Sequence, residues 1–467
     1  MAATDEEHSG DHEGEERGAH SSRISDKVIP LDIEGIPERP KPVIDTGNKY
    51  LVSGTLRPGF RIPGGAIWQP SFLGFGTLRT ALQSVTMGDG SQRSEWATRL
   101  DLGFNLQLTG SERVVIGFRV LGSDGFTGYT SDPLPGEGRW QEDLNADVQT
   151  LFFEGDIGEL FPNMDRSETG RSDIGFSLGR QRLFFQEGML INDTIDGLGL
   201  TRNTLQPGVA NFRVTLFLGA DNLHRNNNAA DDSRLVALLT STDFRRSTMD
   251  LDIAWVTEGE VDAVGTDGVA TDQLALGVSL VQRIGKTNSS FRILVSRALE
   301  AEISGLVTDG ALFFSELSWV PHYSHDLLYL NLFATADEFT SAARDPTTGR
   351  GPLARVGISF AAPGIGRFGS ALSNRANDVV GSAFGYQKFM HDDRRQLIFE
   401  IATRFSTASE NPHSAAIAVR YQAAFGRRSV LVADAFVGYI EEPLALPVAG
   451  EFETLRPGAR LEYQLRF

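Results

Sequence analysis

The chain has 467 residues, 40% of them apolar, and a formal net charge of −18. No apolar run reaches the roughly 18 residues that a membrane-spanning helix requires, which excludes a helical membrane protein. The negative charge disfavours a nucleic-acid partner, and the absence of cysteine removes disulfides, iron–sulfur clusters and thiol nucleophiles.

Residues 1–47 form an acidic leader with few apolar side chains. Such a segment buries too little apolar surface to offset its ordering entropy, so we predict that it is flexible. It lacks the basic and apolar regions of a secretory signal, which predicts that the numbering follows a mature or engineered chain with Met1 added. Residues 48–467 are predicted to form a single domain.

From residue 49 onward the hydropathy alternates with a period of two. Between Trp96 and Leu108 the even positions are apolar, and the odd positions are small, polar or charged. This pattern is typical of a strand with one dry and one wet face. It returns after the turn at 109–112 and then along the chain, with no competing helical series. Further copies lie at 249–255, 273–280, 291–295, 356–360, 397–401 and 417–421.

The connections between these segments differ in length. Short turns, such as 110–111 and 426–428, alternate with longer polar stretches such as 122–142, 222–233, 258–272 and 337–352. Outer-membrane barrels have tight periplasmic turns and long outer loops. The sequence therefore predicts an all-β protein, a single transmembrane antiparallel β-barrel of about 16–18 strands. A soluble β-sandwich or propeller is the alternative if alternation alone is considered.

The last strand ends on an aromatic residue and alternates back from it. It resembles the C-terminal signal that the barrel-assembly machinery recognises in outer-membrane proteins. The resemblance implies a location in the bacterial outer membrane, with lipid, lipopolysaccharide and the assembly machinery as partners. The apolar positions of the signal are Leu461, Tyr463, Leu465 and Phe467.

A second resemblance concerns residues 172–203. An alternating strand contains Gly179-Arg180-Gln181, and it is followed by Gly188 and by an Asp-Gly turn at 196–197 that leads to Arg202. This arrangement resembles the alginate-export family of outer-membrane porins. The resemblance implies that Arg180 and Arg182 belong to a positive path for an acidic sugar polymer or another anion.

The wet faces are predicted to line the lumen. Inward guanidinium groups lower the barrier for anions, and facing carboxylates set a transverse field that orients polar solutes. The alternative is that opposed arginines and carboxylates only satisfy one another across the lumen. The pore-lining candidates are Arg99, Asp101, Arg119, Arg180, Arg182, Arg202, Arg213, Asp250, Asp252, Arg292, Glu400, Arg404 and Arg420.

These features predict a porin-like channel for passive diffusion of small polar or anionic solutes. A more specific hypothesis is that the channel exports an acidic polysaccharide. The alternatives are a structural or adhesive barrel and the sheath of an electron-transfer conduit, whose haem a partner would supply. No Gly-x-Ser-x-Gly, HExxH, P-loop or Rossmann pattern stands in a fitting context, so we predict no enzymatic activity, cofactor or metal site.

Overall fold

The computed structural model describes residues 41–47, 59–87, 90–122, 126–131, 139–165, 169–206, 208, 210–225, 228–231, 233–257, 260–261, 272–300, 302–345, 351–362, 364–408, 412–441 and 453–467. In these ranges, 18 long strands form one antiparallel barrel that closes on itself. The predicted all-β barrel is confirmed, and closure into a single sheet excludes the soluble sandwich. In the described part of the chain, no helix is long and apolar enough to cross a membrane.

Strands that follow one another in sequence are neighbours in the barrel, and the last strand pairs with the first from Gly458 opposite Val85 to Arg466 opposite Thr77. The strands are β1 (Ser71–Thr86), β2 (Gln92–Gln107), β3 (Arg113–Leu121), β4 (Leu144–Asp156), β5 (Gly175–Phe185), β6 (Ile191–Leu205), β7 (Asn211–Asp221), β8 (Arg234–Asp243), β9 (Ser247–Thr257), β10 (Gln273–Ile284), β11 (Thr287–Ala298), β12 (Gly310–Trp319), β13 (Leu327–Phe339), β14 (Val379–Met390), β15 (Arg395–Ser406), β16 (Ser414–Phe425), β17 (Ser429–Ile440) and β18 (Leu455–Arg466).

Shorter elements precede β1 or lie in the connections. They are one helical turn (Ile157–Leu160), one 3-10 turn (Pro352–Arg355) and the strands Ile44–Asp45, Phe60–Arg61, Ile67–Trp68, Thr127–Ser131, Arg139–Gln141, Leu223–Arg225, Asn228–Asp231, Glu260–Val261, Ala343–Arg344 and Ala376–Asn377.

The outer face of the barrel is apolar. Leu82, Ile293 and Ile417 are examples of large side chains that point away from the lumen and are more than half exposed. An apolar belt of this extent is unfavourable in water and favourable in a bilayer, where a closed barrel satisfies every ladder hydrogen bond. The barrel is therefore that of an outer-membrane protein, as predicted.

The two ends of the barrel carry connections of different length. The turns at 108–112, 244–246, 285–286, 391–394 and 426–428 share the end with the C-terminus, which we call the short-turn end. The connections at 122–143, 222–233, 258–272 and 340–378 lie at the opposite, long-loop end. The predicted alternation of turn length is confirmed. Barrels of this class place the short-turn end in the periplasm.

Pairing with the barrel begins inside the predicted leader. Residues 1–40 lie outside the described part, but Ile44–Asp45 pair antiparallel with β1, with Ile44 opposite Gly74. A Cβ on Gly74 would lie 3.2 Å from the Ile44 side chain. Because Gly74 has no side chain, Ile44 can pack against it. Pairing with the barrel therefore starts before the predicted boundary between residues 47 and 48.

The seam between β18 and β1 closes at the final residue. Gly76 N donates to the Phe467 carbonyl at 2.8 Å, and Phe467 N donates to the Gly76 carbonyl at 3.0 Å. A Cβ on Gly76 would lie 2.7 Å from the Phe467 ring. The terminal aromatic residue thus fits against a glycine of the first strand.

Candidate pore and its charged lining

The hairpin of β5 and β6 extends beyond its neighbours. Pairing with β4 ends at Arg180 opposite Leu151, and pairing with β7 ends at Asp196 opposite Asp221. Residues 181–195, which we call the tongue, have no wall strand beside them. Met189, Leu190 and Ile191 are fully buried there. Because apolar tip residues gain from leaving water, the tongue folds into the barrel instead of projecting from it.

The tip of the tongue reaches β9 and β11 on the wall. Gln186 Nε2 donates to Asp252 Oδ2 at 2.8 Å. Glu187 lies 3.6 Å from Arg292 and accepts a hydrogen bond from Arg355 at 3.2 Å. These polar contacts hold the tip across part of the lumen.

The described parts of the connection between β13 and β14, residues 340–345, 351–362 and 364–378, also fold inward, and we call them the inner loop. Its strand Ala343–Arg344 runs parallel to residues 191–192 of the tongue. Arg344 Nη2 donates to the Gly188 carbonyl at 2.6 Å, and Ser341 Oγ donates to the Met189 carbonyl at 2.6 Å. The inner loop and the tongue therefore form one packed unit inside the barrel.

Glu400 on β15 binds the inner loop to the wall. Its carboxylate accepts the backbone N–H groups of Ile358 at 2.9 Å and Ser359 at 2.8 Å. It also accepts the hydroxyl of Tyr329 on β13. The sequence analysis placed Glu400 in the pore lining. Glu400 is only 1% exposed, so it holds the loop and does not present its charge to a passing solute.

The inner loop continues to the far side of the barrel. Arg367 N donates to Glu95 Oε2 on β2 at 3.0 Å, and Phe368 lies against Phe436 on β17 with ring centroids 5.7 Å apart. The loop thus contacts wall strands on both sides of the lumen and narrows it.

Residues 356–360 correct the sequence analysis. Their alternation predicted a strand, but they belong to the inner loop and form turns after the 3-10 element. Val356 and Phe360 are fully buried, and Phe360 packs edge-on against Phe333 at 5.4 Å. A segment packed inside the lumen buries alternate apolar residues just as a wall strand does, so a period of two cannot separate the two cases.

A cavity of about 840 Å³ lies between the tongue and the wall from β4 to β11. Arg182 donates to Asn192 at 3.2 Å within the tongue, and Asp250 accepts from Ser279 at 3.0 Å on the wall. The cavity is therefore lined by both basic and acidic side chains. Five predicted residues line it: Arg182, Arg213, Asp250, Asp252 and Arg292.

The opposite wall carries a row of alternating charges that begins on β3 and β2. Arg119 Nε and Arg99 Nε lie 3.1 Å and 2.8 Å from the two oxygens of Asp101. Asp101 is thus shared by two guanidinium groups, as expected where arginines outnumber carboxylates. Arg99, Asp101 and Arg119, all predicted to line the pore, thus lie in one inward cluster. Their role in binding a solute stays a prediction.

The row continues across the barrel seam on β1, β18, β17 and β16. Arg79 Nε binds Glu462 at 2.6 Å, and Glu462 also binds Arg460. Asp434 accepts Arg460 at 2.6 Å and Arg420 at 2.5 Å. Together with the first cluster these residues form the ion-pair ladder: Arg119, Asp101, Arg99, Arg79, Glu462, Arg460, Asp434 and Arg420.

Five arginines face three carboxylates in the ladder, so it has an excess of positive charge. Arg79, Arg99 and Asp101 are its most exposed members. The sequence analysis did not name Arg79, Asp434, Arg460 or Glu462 as pore residues. Arg460 and Glu462 could have been predicted, because they alternate with the apolar residues of the final strand.

Two predicted residues do not line the lumen. Arg180 lies opposite Leu151 and on the same face as Leu178, which is 57% exposed on the outside. It binds Asp196 at 2.9 Å. Arg202 lies opposite Val214 on that outer face, and it donates to the carbonyls of residues 170, 171 and 173 in the β4–β5 connection. Both arginines hold the wall and its turns.

Arg404, the remaining candidate, lies on β15 and is buried. Its Nε has no hydrogen-bond partner among the described residues.

This geometry matches solved structures of outer-membrane porins. The chain has a porin fold. Pseudomonas aeruginosa OpdK with vanillate is 13% identical, with a TM-score of 0.53, covering 84% of this chain and 98% of that one. Acinetobacter baumannii OccAB2 is 11% identical, with a TM-score of 0.53, over 85% and 98%. P. aeruginosa OccK2 (OpdF) is 13% identical, with a TM-score of 0.53, over 84% and 97%.

No protein-family model and no curated protein matches the sequence. Identities this low establish the fold and leave the solute open. The resemblance to the alginate-export family stays a prediction.

Proposed function

We propose that this protein is a narrow outer-membrane channel for small organic anions and other small polar solutes. The observation that carries the proposal is the ion-pair ladder, in which five arginines and three carboxylates face the lumen across from the tongue. An excess of fixed guanidinium groups favours anions, while the carboxylates keep the arginines oriented and prevent permanent trapping of a solute.

The size of the free space supports small solutes over a polymer. The tongue and the inner loop pack together inside the barrel, and the cavity beneath the tongue is about 840 Å³. Cavities of roughly 300–1,000 Å³ suit a single small molecule. OpdK was solved with vanillate, a small aromatic carboxylate, which supports the same chemical class here. Export of acidic polysaccharide would require the tongue and inner loop to leave the lumen.

The inward segments also bear on the alternatives. A lumen filled by the tongue and inner loop leaves little room for a partner cytochrome, which disfavours the electron-transfer sheath. The same filling is compatible with an adhesive or structural barrel that does not conduct. A measurement of conductance distinguishes the two functions, because the channel conducts ions and the adhesive or structural barrel does not.

The test is single-channel recording of the refolded protein in planar bilayers under a salt gradient. We expect small, steady conductance steps with a reversal potential that indicates anion preference. The double variant Gln186→Ala/Glu187→Ala, which frees the tongue tip from Asp252, Arg292 and Arg355, should increase conductance. Arg139→Ala at the long-loop end, which does not touch the tongue, is the control. A sealed bilayer for both wild type and the tongue variant would contradict the channel.

A further inference from the structure

The charges at the short-turn end are segregated into two halves. The connections from β8 onward, together with the end of β14, carry seven exposed basic residues, which we call the basic half. The acidic residues there are Asp243, Asp326, Asp392 and Asp393. The members of the basic half are Arg245, Arg246, Lys286, Lys388, Arg394, Arg427 and Arg428.

The other half of the same end has the opposite sign. In the described parts of the β2–β3 and β4–β5 connections, the only basic residue is Arg171. The acidic residues there that reach the surface are Asp156, at the end of β4, and Glu159, Asp165 and Asp173, while Glu112 is buried. Screening in water limits the reach of each charge to about 8–10 Å, so the two halves act on their surroundings separately.

Three turns of the basic half combine basic and apolar side chains. Phe244 is 45% exposed beside Arg245, Ile284 is 54% exposed two residues before Lys286, and Phe425 is 51% exposed two residues before Arg427. Apolar side chains at a barrel rim lie at the boundary between acyl chains and headgroups. The neighbouring guanidinium groups then lie at the depth of the headgroups.

Neighbouring segments of the short-turn end are tied together by hydrogen bonds to backbone carbonyls. Arg394 Nη2 donates to the Gly426 carbonyl at 2.5 Å, and Arg466 N donates to the Arg428 carbonyl at 2.8 Å. The β14–β15 turn, the β16–β17 turn and the end of β18 are therefore held side by side. Their basic side chains share one stretch of the rim.

We propose that the basic half is a binding surface for the headgroup phosphates of anionic phospholipids in the inner leaflet of the outer membrane. The short-turn end is the periplasmic end of the barrel, which the headgroups of that leaflet surround. Arginine binds phosphate through charge-assisted, bidentate hydrogen bonds, and each basic residue near an anionic surface adds attraction. The acidic half repels the same lipids, so the barrel orders anionic lipid along one side. This surface is independent of the channel.

The test is native mass spectrometry of the intact barrel, released from nanodiscs that contain phosphatidylcholine with one fifth phosphatidylglycerol. We expect retained phosphatidylglycerol to be enriched over its share of the nanodisc lipid. Two separate double variants, Arg245→Gln/Arg246→Gln and Arg427→Gln/Arg428→Gln, should each weaken retention, by about five-fold for each charge removed. The matched control is Arg139→Gln/Arg375→Gln, which removes two exposed charges at the long-loop end.

Two results would overturn the proposal. One is retention of phosphatidylglycerol by the wild type at no more than its one-fifth share of the nanodisc lipid. The other is an equal loss in the control and in both test variants, which would indicate a response to net charge and not to this surface. Using two test variants on different turns keeps the result decisive if one of them fails to refold.

Discussion

The backbone N–H of Ser359 donates to the carboxylate of Glu400 at 2.8 Å, from the middle of the inner loop to the barrel wall. The same carboxylate accepts Ile358 N at 2.9 Å and the Tyr329 hydroxyl. A buried carboxylate is costly unless donors surround it, and here a loop supplies them. The Glu400 carboxylate therefore holds the inner loop in position, and the N–H groups of the loop stabilise the buried charge of Glu400.

Glu400→Ala should release the inner loop. The substitution leaves the buried N–H of Ser359 and the partly buried N–H of Ile358 without an acceptor, at about 1–3 kcal/mol for a fully buried group. We expect faster amide hydrogen exchange in residues 351–362, and larger and noisier conductance. Gln396→Ala on the same strand, with no hydrogen bond to the loop, is the control. Unchanged exchange in the Glu400 variant would show that other contacts hold the loop.

The partly exposed arginines of the ion-pair ladder should set ion preference. Removing one positive charge about 6 Å from a passing anion costs about 0.7 kcal/mol in water, a factor of about 3. We therefore expect Arg79→Gln and Arg99→Gln each to lower the ratio of chloride to potassium permeability, measured from reversal potentials. Arg180→Gln serves as the control because Arg180 lies on the outer face. A shift with Arg180→Gln equal to that with Arg99→Gln would contradict this assignment of faces.

Alternation was sufficient to predict the barrel, because each wall strand separates a lipid face from a lumen face along its whole length. It could not predict the tongue. Around Leu178, Arg180 and Arg182 the hairpin leaves the wall, so residues two positions apart cease to share one environment. The resemblance placed both arginines on one positive path, yet Arg180 binds Asp196 outside the lumen and Arg182 lines the cavity.

The ion-pair ladder was predictable only in part. Arg99, Asp101, Arg119 and Arg420 followed from alternation on their own strands. Their pairing with Arg79, Asp434, Arg460 and Glu462 depends on the register between strands that are far apart in sequence, such as β18 against β1. Hydropathy excludes a shift of one residue, which would move every side chain to the other face, but a shift of two residues keeps the faces, so hydrogen bonding and closure of the barrel decide the pairing.

Closure of the seam should depend on the small size of Gly76. A valine there would bring a Cβ within 2.7 Å of the Phe467 ring, and overpacking of this kind costs about 1–3 kcal/mol. We expect Gly76→Val to slow refolding into lipid vesicles, measured by the fraction of heat-modifiable barrel over time. Gly110→Val is the control, because a Cβ on Gly110 meets nothing within 4 Å. Equal refolding rates for the two variants would contradict a role for this contact.

The connection between β7 and β8 should make the tongue sensitive to pH through His224. Its backbone N donates to Asp193 at 2.7 Å, and its Nδ1 lies 2.9 Å from the other oxygen of that buried carboxylate. Burial by itself would lower the pKa of His224, but the hydrogen bond and the charge of Asp193 outweigh it, and the pKa lies above the usual value.

A histidine whose pKa is raised in the folded state stabilises that state fully below its unfolded pKa, which is about 6.5, and the contribution is lost as pH rises through the folded pKa. We therefore expect hydrogen exchange in residues 186–195, corrected for intrinsic rates, to accelerate as the pH rises above about 6.5. His224→Asn should exchange faster at low pH and show a flat profile. His391→Asn at the short-turn end should keep the wild-type profile. If His224→Asn kept the wild-type pH dependence, the His224–Asp193 pair could not be its source, and the titrating group would have to be sought elsewhere among the contacts of the tongue.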